Sequence, residues 1–213
     1  MLQRIITSLI GLVIFFAVLF ANEIVFTAAI IAVIFIALYE LHKAMSADKS
    51  VFCVSLLSSA AIICGIFMKQ PQAAVMASMM VYLTLSIFLH PKRNFKDVYS
   101  AALCTYFITF FFSALITLRS RYGIETVFLV FLFAWGTDTG AYFSGRFFGK
   151  HKIIPKVSPK KTIEGSVGGV IFSILLTCLY LAFLKNVLKI ENIGGASYMG
   201  VSVLSVAASL FSQ

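Results

Sequence analysis

Charged side chains are scarce in this chain: they make up 12% of its residues, where a water-soluble domain carries about a quarter. With 61% of residues hydrophobic, no polar block is large enough to fold as a separate soluble domain. Repeats, low-complexity tracts and long linkers are missing as well, which excludes solenoid and multi-domain layouts and leaves one membrane-embedded domain over residues 1–213. Cys53, Cys64, Cys104 and Cys178 lie inside apolar runs with neither CxxC spacing nor a nearby His pair. That excludes a zinc site, and the four are read as small buried hydrophobes with free thiols. A nucleotide P-loop is absent too, because Gly140 and Gly145 have the right separation but lead into Arg146 and Phe147. No DDxxD pair, HExxH helix or GxSxG elbow occurs.

Long apolar runs are what the chain has in plenty. They cover residues 5–21, 24–39, 51–68, 73–89 and 98–118, a sixth from about 126 to 143, a seventh from about 166 to 184, and an eighth at 196–211. Each is near the roughly 17–25 residues that a helix needs to cross a bilayer. The first run lacks a cleavage site and leads straight into the second, so it reads as a retained span rather than a signal peptide. The runs are too long, and alternate too little, for barrel strands. The expected fold is all-α and polytopic, with about eight transmembrane helices and a basic cytoplasmic loop at 144–165 between the sixth and seventh.

The formal net charge of +9 invites a nucleic-acid reading. Its basic residues are instead spread through short connections between spans, as membrane topology requires. With the amino terminus inside, 12 of the 17 basic residues fall in cytoplasmic connections. Only Lys69, Arg119, Arg121, Lys185 and Lys189 fall outside, so the positive-inside bias places the amino terminus and the central loop in the cytoplasm.

That loop belongs to the stretch 135–165, WGTDTGAYFSGRFFGKHKIIPKVSPKKTIEG. Asp138 stands at the end of the sixth run, where a carboxylate is costly unless paired, hydrated or bound to a cation. It shares a helix face with Tyr142 and Gly145. Gly136, Gly140, Gly145 and Gly149 allow close approach of a helix or a ligand, and helix packing alone explains such spacing. Downstream, Ser158 is expected as an N-cap with Pro159 at the first helical position. Lys160 and Lys161 would then occupy a first turn, where the helix dipole disfavours cations unless an anion completes the site. The positive-inside bias explains the two lysines equally well. His151 reads as a solvated loop residue or a phosphate contact, and His42 and His90 as interface residues.

The segment 138–165, with DTGAY, GR, GKHK, SPKKT and EG in order, resembles the cytoplasmic motif of the phosphatidate cytidylyltransferase (CDP-diacylglycerol synthase) family. The resemblance implies transfer of a cytidylyl group from CTP to phosphatidic acid, with Mg2+, in a bacterial cytoplasmic membrane, and it admits a homodimer. It also implies site residues by position. Lys160 and Lys161, with Asp138 and Glu164 as polar framework or indirect metal partners, form the catalytic set. Arg146, Lys150, His151, Lys152, Ser158 and Thr162 contact substrate phosphates. The family's second signature, with His-Gly-Gly and an aspartate pair expected to hold the metal, is not found before Gln213. The expectation is therefore a carboxyl-terminally truncated synthase that turns over poorly or not at all by itself. The competing readings are a non-catalytic membrane protein that binds or transports anionic lipid through its basic loop, and another CTP-using lipid enzyme such as a polyisoprenol kinase.

Overall fold

In the computed structural model, residues 2–45, 49–89, 95–153, 158 and 161–186 are described. They form seven helices: α1 (Leu2–Phe20), α2 (Glu23–Ala44), α3 (Lys49–Phe67), α4 (Pro71–Leu89), α5 (Phe95–Tyr122), α6 (Ile124–Phe148) and α7 (Ile163–Asn186). By length and composition, five of these can cross a membrane: α2, α3, α5 from Val98, α6 and α7. The apolar part of α1, Ile5–Phe20, is shorter. The eighth run at 196–211 lies outside the described residues. The chain divides into two compact units, Met1–Ile124 and Glu125–Gln213. Gly123, at φ 85°, ends α5 just before the division, with its N–H on the Arg119 carbonyl at 3.1 Å.

Helix ends in the first unit follow from local chemistry. The Asn22 side chain caps α2 by accepting from the Val25 N–H at 2.8 Å. Glu23 in its first turn and Lys43 in its last suit the helix dipole. One ridge of α2, from Phe26 through Ile30, Ile34 and Leu38 to His42, is buried at four-residue spacing. Helices α3 and α4 make a tight hairpin in which a side chain at Gly65 would collide with Ala74.

Polar groups join this unit inside. His42 Nδ1 lies 2.8 Å from the Leu38 carbonyl and Nε2 lies 2.9 Å from Ser55 Oγ, which is 3.3 Å from the Tyr82 hydroxyl. Ser59 Oγ meets Thr109 Oγ1 at 2.8 Å. With its proton on Nδ1, the imidazole donates to the carbonyl and accepts from Ser55, so both ring nitrogens are satisfied. Lipid provides no hydrophobic force between helices, and such hydrogen bonds then supply part of the adhesion. His42, in the last turn of α2, is only 3% exposed and is held among the helices. The expected burial of the cysteines is corrected. All four thiols are free, but Cys53 and Cys64 are exposed and Cys104 and Cys178 half-buried. A small apolar side chain gains nothing by facing inward when lipid is outside.

In the second unit, α6 and α7 approach closely through small residues. A Cβ added at Gly140 would sit 2.9 Å from the Gly168 carbonyl and 3.1 Å from the Gly169 Cα, and one at Gly168 would overlap Ser144. This close backbone crossing fixes where α6 ends relative to where α7 begins.

Candidate active site at the α6–α7 connection

The 25 residues of α6 span about 37 Å at 1.5 Å per residue, more than a hydrocarbon core of about 30 Å. Its last turns, with Arg146, can therefore leave the apolar layer. Helix continues to Phe148, so the connection to α7 is shorter than the 144–165 expected from sequence and covers 149–162.

Two faces of α6 take different roles. Gly136, Thr137 and Gly140 are buried, with Gly136 and Gly140 against α7. Asp138, Tyr142 and Arg146, four residues apart, lie along an exposed face, and Arg146 Nη1 donates to the Tyr142 hydroxyl at 2.9 Å. Asp138 has no hydrogen-bond partner among the described residues, which rules out an ion pair or helix–helix hydrogen bond within that set as the reason for its presence.

The connection is folded back as a short clasp. Lys152 and Thr162 form an antiparallel bridge. Ile153 N–H donates to the Lys161 carbonyl at 3.2 Å and Ile163 N–H to the His151 carbonyl at 2.9 Å. Glu164 closes the clasp: its carboxylate accepts from the Lys150 N–H at 3.1 Å and the His151 N–H at 3.2 Å, and meets His151 Nδ1 at 2.7 Å. Glu164 precedes the apolar run of α7. The His151 contact first, and then the main-chain N–H groups, hold its carboxyl at about 2, below the usual carboxylate value.

The start of α7 differs from the sequence expectation. The helix begins at Ile163, and Thr162 is its N-cap, with Oγ1 accepting from the Gly165 N–H at 3.1 Å. Ser158 is not a helix cap; its carbonyl accepts from the Lys161 N–H at 3.3 Å. Lys161 therefore stands just before the cap rather than in the first turn, and the acidic residue in that turn, Glu164, suits the dipole. Thr162 wins because its cap adjoins the apolar run that packs on α6. Pro159 and Lys160 lie outside the described residues.

The structure thus gathers Lys150, His151, Lys152, Lys161, Thr162 and Glu164 into one element, with Gly145 and Gly149 of the α6 end against Thr162. Asp138 stands apart, about 12 Å from Arg146 along the helix axis. What the clasp can do chemically is present exposed cations to an anion in fixed geometry. Among the described residues, no three of His, Cys, Asp and Glu converge to hold a metal ion. Glu164 is already engaged and Asp138 is alone, so these residues do not by themselves make the magnesium site that the resemblance implies.

Known proteins share this arrangement of sequence. The chain is 27% identical over 194 residues to the phosphatidate cytidylyltransferase of Bacillus subtilis, covering 84% of this chain and 71% of that protein. Against the Staphylococcus saprophyticus protein of the same name, identity is 30% over 188 residues, with 84% and 72% covered. The Haemophilus influenzae protein of that name is 43% identical over 86 residues, 40% of this chain and 28% of the other. The model of the cytidylyltransferase family matches residues 2–213, and the chain belongs to that family.

Proposed function

We propose that this chain binds CTP and phosphatidic acid at the α6–α7 connection and transfers the cytidylyl group to the lipid, releasing pyrophosphate. A phosphate oxygen of the lipid forms a bond to the α-phosphorus of CTP as the bond to the bridging oxygen of pyrophosphate breaks. The observation that carries this reading is the clasp, which holds exposed Lys150, Lys152 and Lys161 beside the first turn of α7, in a chain of the cytidylyltransferase family. Phosphoryl-type transfers gain most from positioning and charge neutralisation, and fixed cations next to a helix start supply both.

Lys150, Lys152, Lys161 and Arg146 bind phosphates in this reading, joined by Lys160, Ser158 and Thr162. Glu164 is a positioning residue: its oxygens are taken up by the 150–151 main chain and His151. Asp138, exposed and unpartnered among the described residues, remains available to a substrate group or a cation. Magnesium, when bound, would neutralise triphosphate charge. The connection faces the cytoplasm, where CTP is found, in keeping with the 12 basic residues assigned to that side.

The test is formation of CDP-diacylglycerol from labelled CTP, phosphatidic acid and magnesium in membranes containing this chain. A parallel arm uses the same chain extended by a segment with the His-Gly-Gly and aspartate signature. Product in the first arm supports the proposal for this chain, and product in the extended arm alone would show that turnover needs the added segment. Lipid association in both arms, with CTP-dependent product in neither, overturns the proposal in favour of a non-catalytic lipid-binding protein.

A further inference from the structure

The first unit contains two adjoining cavities that the cytidylyl-transfer reading does not use. One, of about 480 Å3, opens between the start of α2, the α3–α4 turn and the end of α5, and is lined by Glu23, Thr27, Lys69, Ser120 and Arg121. The other, of about 750 Å3, is an apolar groove along α3, α4 and α5, lined by Ile62, Val75, Met76, Phe110, Ala114 and Leu118. Ile66, Pro71 and Thr117 line both, so a polar mouth continues directly into an apolar channel. Both volumes are in the range of about 300–1,000 Å3 typical of small-molecule sites.

Charge and backbone point to the occupant. Lys69 and Arg121 outnumber Glu23, so the mouth is net positive, and neither cation is in an ion pair among the described residues. Lys69 sits at φ 59°, the left-handed position after a helix where glycine is the usual residue. The turn is held by the Lys69 N–H on the Ile66 carbonyl at 3.1 Å and the Gln70 N–H on the Gly65 carbonyl at 2.8 Å. An ammonium group is thus kept at the mouth in a backbone conformation that lysine disfavours.

We propose that this pair of cavities binds one anionic glycerophospholipid, with its phosphate on Lys69 and Arg121 and an acyl chain in the α3–α5 groove. Glu23 and Thr27 accept from or donate to headgroup hydroxyls. Lys69 and Arg121 belong to connections that the charge bias assigns to the outer side, and the clasp to one that it assigns to the cytoplasm, so the lipid bound here is a second one and not the reacting substrate.

The experiment uses the full chain in nanodiscs without CTP, and a photoactivatable phosphatidylglycerol in competition with a phosphatidylethanolamine carrying the same probe. Phosphatidylglycerol is expected to be captured preferentially, with crosslinks on α3–α5. Each cation near an anionic headgroup is worth about fivefold in binding, so Lys69→Gly and Arg121→Gln should each lower capture about fivefold. Lys69→Gly suits the backbone, which keeps lost binding separate from lost folding. Val75→Trp, which fills the groove, should lower capture of both lipids. Unchanged capture by Lys69→Gly, or preference for phosphatidylethanolamine, overturns the proposal. Since no reaction is measured, failure here is distinguishable from failure of the cytidylyl-transfer reading.

Discussion

At the scale of single residues, the clasp depends on one carboxylate with several partners. Its low pKa, about 2, has the His151 contact as its largest cause. A depressed carboxyl contributes stability that is present above its ordinary value of about 4.3 and is lost as pH falls through about 2. In His151→Ala the midpoint of Glu164 should return towards the ordinary value, as read by carbon-13 NMR titration of the labelled carboxyl. An unchanged midpoint would mean that main-chain N–H groups alone hold the charge. His42 offers a second residue-scale test. Replacing it with Ala leaves Ser55 and the Leu38 carbonyl buried without their partner, at a cost of about 1–3 kcal/mol. Thermal unfolding in detergent should show that loss, with a smaller one for Tyr82→Phe, whose hydroxyl is the outer member of the chain. Neither network was legible in sequence. His151 and Glu164 are 13 residues apart, as are His42 and Ser55, and only the folded chain brings each pair together.

Elements were read better than their ends. Apolar length was enough to find α2 through α7, because a helix is the cheapest way to satisfy a backbone in lipid. The start of α7 was not, because SPKKT and TIEG are both plausible helix starts and local propensity does not choose between them. Packing does: Gly165 and Gly168 must lie against Ala141 and Ser144, so the helix has to begin next to them. Thr162→Ala should remove the cap and cost about 1 kcal/mol, visible as faster amide exchange at Gly165, whereas Ser158→Ala should leave that amide unchanged. At the crossing itself, Gly140→Leu forces a side chain into backbone atoms of α7. A well-packed contact loses about 1–3 kcal/mol or more on such overpacking. Unfolding of Gly140→Leu at the wild-type temperature would show that α6 and α7 do not cross as described.

At the scale of the whole chain, the described residues fall into two compact units. The first is joined by internal hydrogen bonds and has a basic mouth above an apolar groove. The second carries the motif. The family was legible from the motif because its order of glycines, lysines and prolines is specific, whereas individual roles were not, since membrane topology accounts for the same lysines as well as phosphate binding does. The central claim is that the clasped connection is where CTP docks. The most direct measurement is photoaffinity labelling of the chain in membranes with an azido-CTP, followed by peptide mapping. Label is expected within residues 146–164, to be displaced by unlabelled CTP, and to fall about tenfold or more in a Lys152→Gln, Lys161→Gln variant, since a hydrogen bond to a charged group is worth about 1.5–3 kcal/mol. Displaceable label on another segment, or label at 146–164 undiminished by the loss of both charges, would contradict it.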